Sequence, residues 1–279
     1  MNRRGMTLVE VLITLTITAG IVVLSMTLLA DIARQARGRL ERAGAAETLR
    51  TVAAVLDREL WSVGWDSLGG SDVDSLGSTG VVTRAMRATG LACRLAPDTV
   101  EVASDSSRWF AERQPVPGRD SLLLYLEGDS TAMVNAWLPL PIVAVGAGTC
   151  PDGAPSLLLS TSLPPSTITR WRAAAPTPVR TFEVMAFESY SSGAALVFGA
   201  RGVSSGAVVQ PVAGPLAASG LALEYWGTGG APVLRPDQVR EMSGWVRAIP
   251  DAELAVGFGR AAAAPPDSLF FRVRLRNVP

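Results

Sequence analysis

The chain reads as an α+β protein, with one long amino-terminal helix followed by a domain of antiparallel strands. Three observations predict this. The run from Val11 to Ala30 is twenty residues without a charge. It leads into an amphipathic stretch that contains no proline as far as Ser62, and proline is the residue that breaks helix interiors. After Trp65 the pattern changes to short apolar runs separated by Gly, Pro, Ser and Asp, the signature of strands and turns. At 279 residues the chain has room for a membrane helix and one globular domain.

The apolar run makes ~30 Å of helix, enough to cross the hydrocarbon core of a bilayer. Arg3 and Arg4 lie on its short side, so the positive-inside rule places the amino terminus in the cytoplasm and everything after Asp31 outside it. An ordinary secretory signal peptide is the competing reading, with a small-residue cleavage site around Ala30, Ala33 and Ala36. Glu10 argues against it. A carboxylate at the edge of the apolar run costs ~3 kcal/mol in lipid and implies a partner, for which a cleavable leader has no use.

Beyond the span, Ile32, Ala36, Leu40, Ala43, Leu49, Ala53, Leu56 and Leu60 recur three or four apart, with Arg34, Arg37, Arg39, Arg42, Glu47, Arg50 and Arg58 on the other faces. That is the 3.6-residue period of an amphipathic helix. A single helix over 6–62, ~85 Å long, is expected to hold its first half, 6–30, in lipid and to lay its second half on the globular domain, 63–279. Strands are expected at Gly80–Arg87, Thr99–Ala103, Ser121–Glu127, Thr131–Trp137, Ser156–Ser160, Thr181–Tyr190, Ala194–Ala200, Leu221–Trp226, Trp245–Ile249 and Asp267–Leu275. The last alternates Leu269, Phe271, Val273 and Leu275 against Arg272, Arg274 and Arg276, as a strand with one wet face should.

Arginines and acids balance at 25 each, and there is no His. No basic stripe with interleaved aromatics appears, which argues against nucleic acid as a partner. Without imidazole there is no Ser-His or Cys-His pair and no His-containing zinc site, so no catalytic residue and no cofactor is expected. Asp66, Asp72 and Asp74 cluster in a Gly/Ser-rich segment, yet Leu76 stands where a calcium loop needs an oxygen ligand. A solvated loop is expected there, and no metal. Cys93 and Cys150 are the only two cysteines, in a domain expected to meet an oxidising compartment. Joined, they close a long loop that contributes ~4 kcal/mol in the chain-entropy model; two separate buried thiols are the other possibility.

The amino terminus also carries a resemblance. Arg3-Arg4-Gly5, followed by Met6-Thr7-Leu8-Val9-Glu10-Val11-Leu12-Ile13, resembles the prepilin processing motif of type IV pilins and type II secretion pseudopilins, although that family more often has Phe where Met6 stands. The resemblance implies that a membrane prepilin peptidase cuts between Gly5 and Met6, removing residues 1–5 as a leader and methylating the new terminus. It implies that Glu10, then the fifth residue, neutralises the amino terminus of a neighbouring subunit during assembly. A long helix on an antiparallel sheet is the pilin-like architecture. The segment Leu56-Asp57-Arg58-Glu59-Leu60-Trp61-Ser62-Val63-Gly64-Trp65, the ending Arg274-Leu275-Arg276-Asn277 and the chain length are similar to large minor pilins of the PilW type and to J-class minor pseudopilins. The implied function is therefore that of a non-enzymatic filament subunit acting in initiation or at the tip. Its implied partners are prepilin peptidase, other pilins or pseudopilins and the bacterial inner membrane. The alternatives are a signal-anchored exported binding domain with no filament role, and an exported enzyme.

Overall fold

The computed structural model describes residues 7–66, 70–127, 136–162, 175–249 and 267–276. Helix α1, Leu8–Trp61, is 54 residues long. It starts at a Thr7 cap and stops at Ser62, where the hydroxyl donates to the Glu59 carbonyl at 2.9 Å and the backbone N–H turns to Leu60. Arg58 in the last turn opposes the negative end of the helix dipole.

The strands follow in chain order. β1 (Trp65–Asp66), β2 (Gly70–Ser71), β3 (Val73–Gly77), β4 (Gly80–Ala96), β5 (Thr99–Ala103) and β6 (Trp109–Ala111) come first. Next are β7 (Asp120–Leu126), β8 (Ala136–Pro141), β9 (Ala144–Thr149), β10 (Pro155–Ser160) and β11 (Thr177–Ser192). β12 (Ala195–Gly202), β13 (Gln210–Trp226), β14 (Glu241–Ala248) and β15 (Asp267–Arg274) complete the set. β1 and β2 pair with each other. The other thirteen form one antiparallel sheet, ordered β15-β14-β13-β12-β11-β4-β5-β10-β9 along its main path.

β4 and β11 are the axis of this sheet, paired from Gly80↔Glu188 to Ala92↔Thr177 with one register shift at Thr181/Phe182. On its other edge β11 meets β12 from Met185 onward but β7 from Val179 to Glu183. The sheet therefore forks, and each branch has its own core. Under α1, the buried Ala45, Leu49, Val52, Leu56 and Leu60 pack in one cluster with Phe187, Phe198, Leu221, Met242, Val246 and Val273. In the other branch Val100, Val102, Trp109, Leu122, Leu124, Leu140, Leu159 and Val179 close a second core. Each such side chain contributes ~1.5–3 kcal/mol on burial, so each branch has a substantial apolar core of its own.

The structure departs from the sequence expectations in several places, among them the unexpected strands β6 and β9. Ile32, Ala36, Leu40 and Ala43 are exposed, and burial on the domain begins only at Ala45. The contact stripe then runs Ala45, Leu49, Val52, Leu56, Leu60, with Val52 buried and Ala53 only partly so. The segment expected as a solvated loop contains β3, which pairs with β4 and buries Val73, so backbone pairing overrides its turn-rich composition. Strand limits also shift: β13 reaches back to Gln210, and β8 runs Ala136–Pro141, the expected strand residues 131–135 lying outside the described set.

Candidate functional site

The processing site expected at Gly5 and Met6 lies outside the described residues. Glu10 is described, and it is engaged. Thr7 Oγ1 accepts the Glu10 backbone N–H at 3.4 Å, while the Glu10 carboxylate accepts from the Thr7 backbone N–H at 3.0 Å and from the Thr7 hydroxyl at 3.1 Å. This is a reciprocal capping box, which satisfies two of the N–H groups that every helix start leaves open. Thr7 is a site residue that the sequence reading missed, although Thr7-x-x-Glu10 ahead of an apolar run is the motif's own signature.

From Leu8 to Gly44 nearly every position of α1 is exposed; Leu8 is 79% and Leu24 70% accessible. The helix is long and apolar enough to cross a membrane. Its hydroxyls are prepared for such surroundings. Thr14 donates to the Glu10 carbonyl at 2.8 Å and Thr18 to the Thr14 carbonyl at 2.7 Å, and Thr16 and Thr27 turn back onto the helix in the same way. No hydroxyl of this set needs water, which is what an apolar solvent demands.

At the far end of α1 a charge network ties helix to sheet. Arg58 donates to Glu112 at 2.6 Å and Arg87 to Glu59 at 3.0 Å. Arg87 Nε also lies 3.6 Å from Glu183, a side chain with 0% exposure. Glu183 accepts from Arg119 at 2.6 Å and from Arg113 at 3.1 Å, and Arg113 continues to Asp120 at 2.6 Å. The Arg58 hydrogen bond holds the Glu112 carboxyl below the usual carboxylate range, and Asp120 raises Arg113 above the usual arginine value. Four guanidiniums thus face four carboxylates. A balanced cluster of this kind fixes geometry and leaves no spare charge for a ligand. Gly202 belongs to the same arrangement, since a Cβ there would collide with Glu183 Oε1.

The partners of this network sit on different elements, separated in sequence by 54 residues for Arg58 and Glu112 and by 64 for Arg119 and Glu183. Nothing in the local sequence signals such pairings, and the sequence reading missed them.

Cys93, on β4, and Cys150, just past β9, form a disulfide with Cα atoms 5.7 Å apart. It fastens the β9-β10 hairpin to β4 in the second branch. Non-reducing peptide mapping of exported protein is expected to recover this linked pair and no free thiol. Cys93→Ser is expected to lower stability by ~4 kcal/mol on the chain-entropy account; alkylation of either thiol without reductant in folded protein contradicts this. Asp72 accepts the Gly64 N–H at 3.0 Å, and both Asp72 and Asp74 face Arg84, at 3.7 and 3.4 Å. These two acids are directed at an arginine. Among the described residues no group of His, Cys, Asp and Glu is placed to hold a metal ion.

Comparison of the chain with models of known families, with curated proteins and with solved structures gives no match. The functional reading therefore rests on the residues themselves.

Proposed function

We propose that this chain is a minor pilin or minor pseudopilin, a structural subunit of a type IV pilus or type II secretion filament that acts in initiation or at the tip. The observation that carries the reading is the junction Arg3-Arg4-Gly5/Met6-Thr7-Leu8-Val9-Glu10 at the start of a helix that is exposed at every position from Leu8 to Arg37. Exposed Leu, Ile and Val in such number are untenable in water, at ~1.5–3 kcal/mol each. They need lipid before assembly and the helices of neighbouring subunits after it. An α+β domain with a projecting amino-terminal helix is compatible with that life history.

In this reading prepilin peptidase removes residues 1–5, the inner membrane holds the helix with the domain outside the cytoplasm, and Glu10 meets the amino terminus of a neighbouring subunit in the filament. Until then Thr7 supplies the Glu10 carboxylate with donors from its own chain, which lowers the cost of carrying it in the bilayer. Mass spectrometry of the native amino terminus is the test, and a mature chain beginning at N-methylated Met6 is expected. A start at Met1 indicates a signal-anchored domain without filament processing. A start near Ala30 or Ala36 indicates an ordinary signal peptide, and either result overturns the proposal.

A further inference from the structure

Beyond the last turn of α1 lies an open groove of about 610 Å³, lined by residues that include Ser62, Met86, Thr89, Phe110, Arg180 and Arg276. Three of these form a row across the sheet, because Arg180 on β11 is paired with Thr89 on β4, and Thr89 with Phe110 on β6. Cross-strand partners share a face, so the three side chains stand side by side. Arg276 is brought to the same groove when its N–H bonds to the Val63 carbonyl at 3.0 Å, and its guanidinium lies 3.8 Å from the Trp61 ring.

The charges in this groove do not balance. Arg87 and Glu112 on its wall belong to the closed network described above. Arg180 and Arg276 have no carboxylate within ion-pair distance among the described residues; Arg180 instead lies 4.6 Å from the Trp137 ring. Burial pushes the Arg180 guanidinium below the usual arginine range; Asp72 pulls it up and Arg276 adds to the depression. Two cations lining one groove, Arg180 half-buried and Arg276 exposed, are complementary to an anion. The shape favours a chain as the carrier of that anion. β6 pairs only with β4 among the described residues, and although its Trp109 N–H already bonds the Asp105 carbonyl at 2.9 Å, the exposed Ala111 is left at its outer edge for an extended segment. Phe110, 63% exposed, offers an aromatic surface at the rim.

We propose that this groove docks an extended acidic peptide segment of a partner protein, with a carboxylate between Arg180 and Arg276 and an apolar side chain against Phe110 and Met86. The position suits a partner met away from the membrane, since Ala30 and Trp61 are separated by ~47 Å of helix. Only that orientation rests on the proposed anchor; the binding chemistry does not.

The test titrates full-length protein in lipid nanodiscs with fluorescein-labelled acetyl-Phe-Asp-Glu-Leu-amide, read by anisotropy. Saturable binding is expected, about tenfold weaker for the Asn/Gln analogue of the peptide and about tenfold weaker in Arg180→Gln and Arg276→Gln. Arg276 is exposed, so its variant keeps the test decisive if Arg180→Gln fails to fold. Arg235→Gln, in an exposed pair outside the groove, is expected to bind as wild type does. Absence of binding by folded protein, or equal affinity in wild type and Arg276→Gln, overturns the proposal. Competition by inorganic phosphate at concentrations matching the peptide also overturns it, by reducing the groove to a simple anion site. None of these readouts requires filament assembly, so failure here is distinguishable from failure of the subunit reading.

Discussion

Glu10→Ala is expected to leave the chain inserted and cut after Gly5, and to reduce its incorporation into filaments or crosslinked tip complexes by about tenfold to 100-fold. The cost of stranding a charge in an apolar bundle, ~3 kcal/mol or about 150-fold, sets the ceiling for this loss. With the helix anchored as proposed, removing the carboxylate takes a charge out of lipid, and insertion itself is not expected to suffer. Because Glu10 also closes the capping box with Thr7, alanine additionally removes the acceptor for the Thr7 N–H, while the Thr7 hydroxyl can still cap the helix from its side. Glu10→Gln separates the two roles, since glutamine preserves the cap and abolishes the charge. The measurement is quantitative crosslinking at matched membrane abundance. If Glu10→Gln assembles as wild type does, the cap matters and the charge does not, and the assembly role assigned to Glu10 fails.

Glu183→Ala is expected to be the most damaging single change in the charge network. It removes the carboxylate that faces Arg87, Arg113 and Arg119 from a fully buried position. Breaking a buried pair from one side costs ~3–5 kcal/mol because the partner charge stays behind. Here Arg87 retains Glu59 and Glu112, Arg113 retains Asp120, and Arg119 is 44% exposed and can turn to water. The lower end of the range therefore applies, equivalent to a fall in melting temperature of roughly 6–12 °C for a domain of this size. Asp237→Ala, which breaks the exposed Arg235–Asp237 pair, is expected to change stability by less than ~1 kcal/mol. Similar losses in the two variants would show that the network does not bear on stability in proportion to its burial.

The parts of this fold that were legible in the sequence are those governed by local rules. The α1 limits follow from the absence of proline as far as Ser62 and from the change of pattern after Trp65. β5 and β10 follow from compact apolar runs between turn residues. Other parts depend on a partner that the segment itself does not name. Val73–Gly77 has the composition of a loop and becomes a strand because β4 offers it an edge. Gly146 and Gly148 disguise β9, which is held by its register with β10. Ile32, Leu40 and Leu49 carry one continuous helical pattern, and nothing in the pattern says that the domain meets only its last third. The same reasoning applies to the sites. Glu10 was visible because its cost in lipid is local, and Thr7 could have been read from its spacing. Glu183 and Arg180 acquire their meaning only when β4, β7 and β11 are laid side by side.

The fork in the sheet bears on how the molecule responds to a pull on its helix. Tension along α1 enters the branch it packs on, where the described residues contain no covalent cross-link and the load falls on apolar packing, the Thr48–Gly214 hydrogen bond and the Arg87–Glu59 and Arg58–Glu112 contacts. The other branch is stapled by Cys93–Cys150 and is reached through the unbroken backbones of β4 and β11. Compliance is thus concentrated next to the stalk and rigidity beyond its end, so a domain strained by its anchor would yield near the helix before the face that carries Arg180 and Phe110 lost its shape.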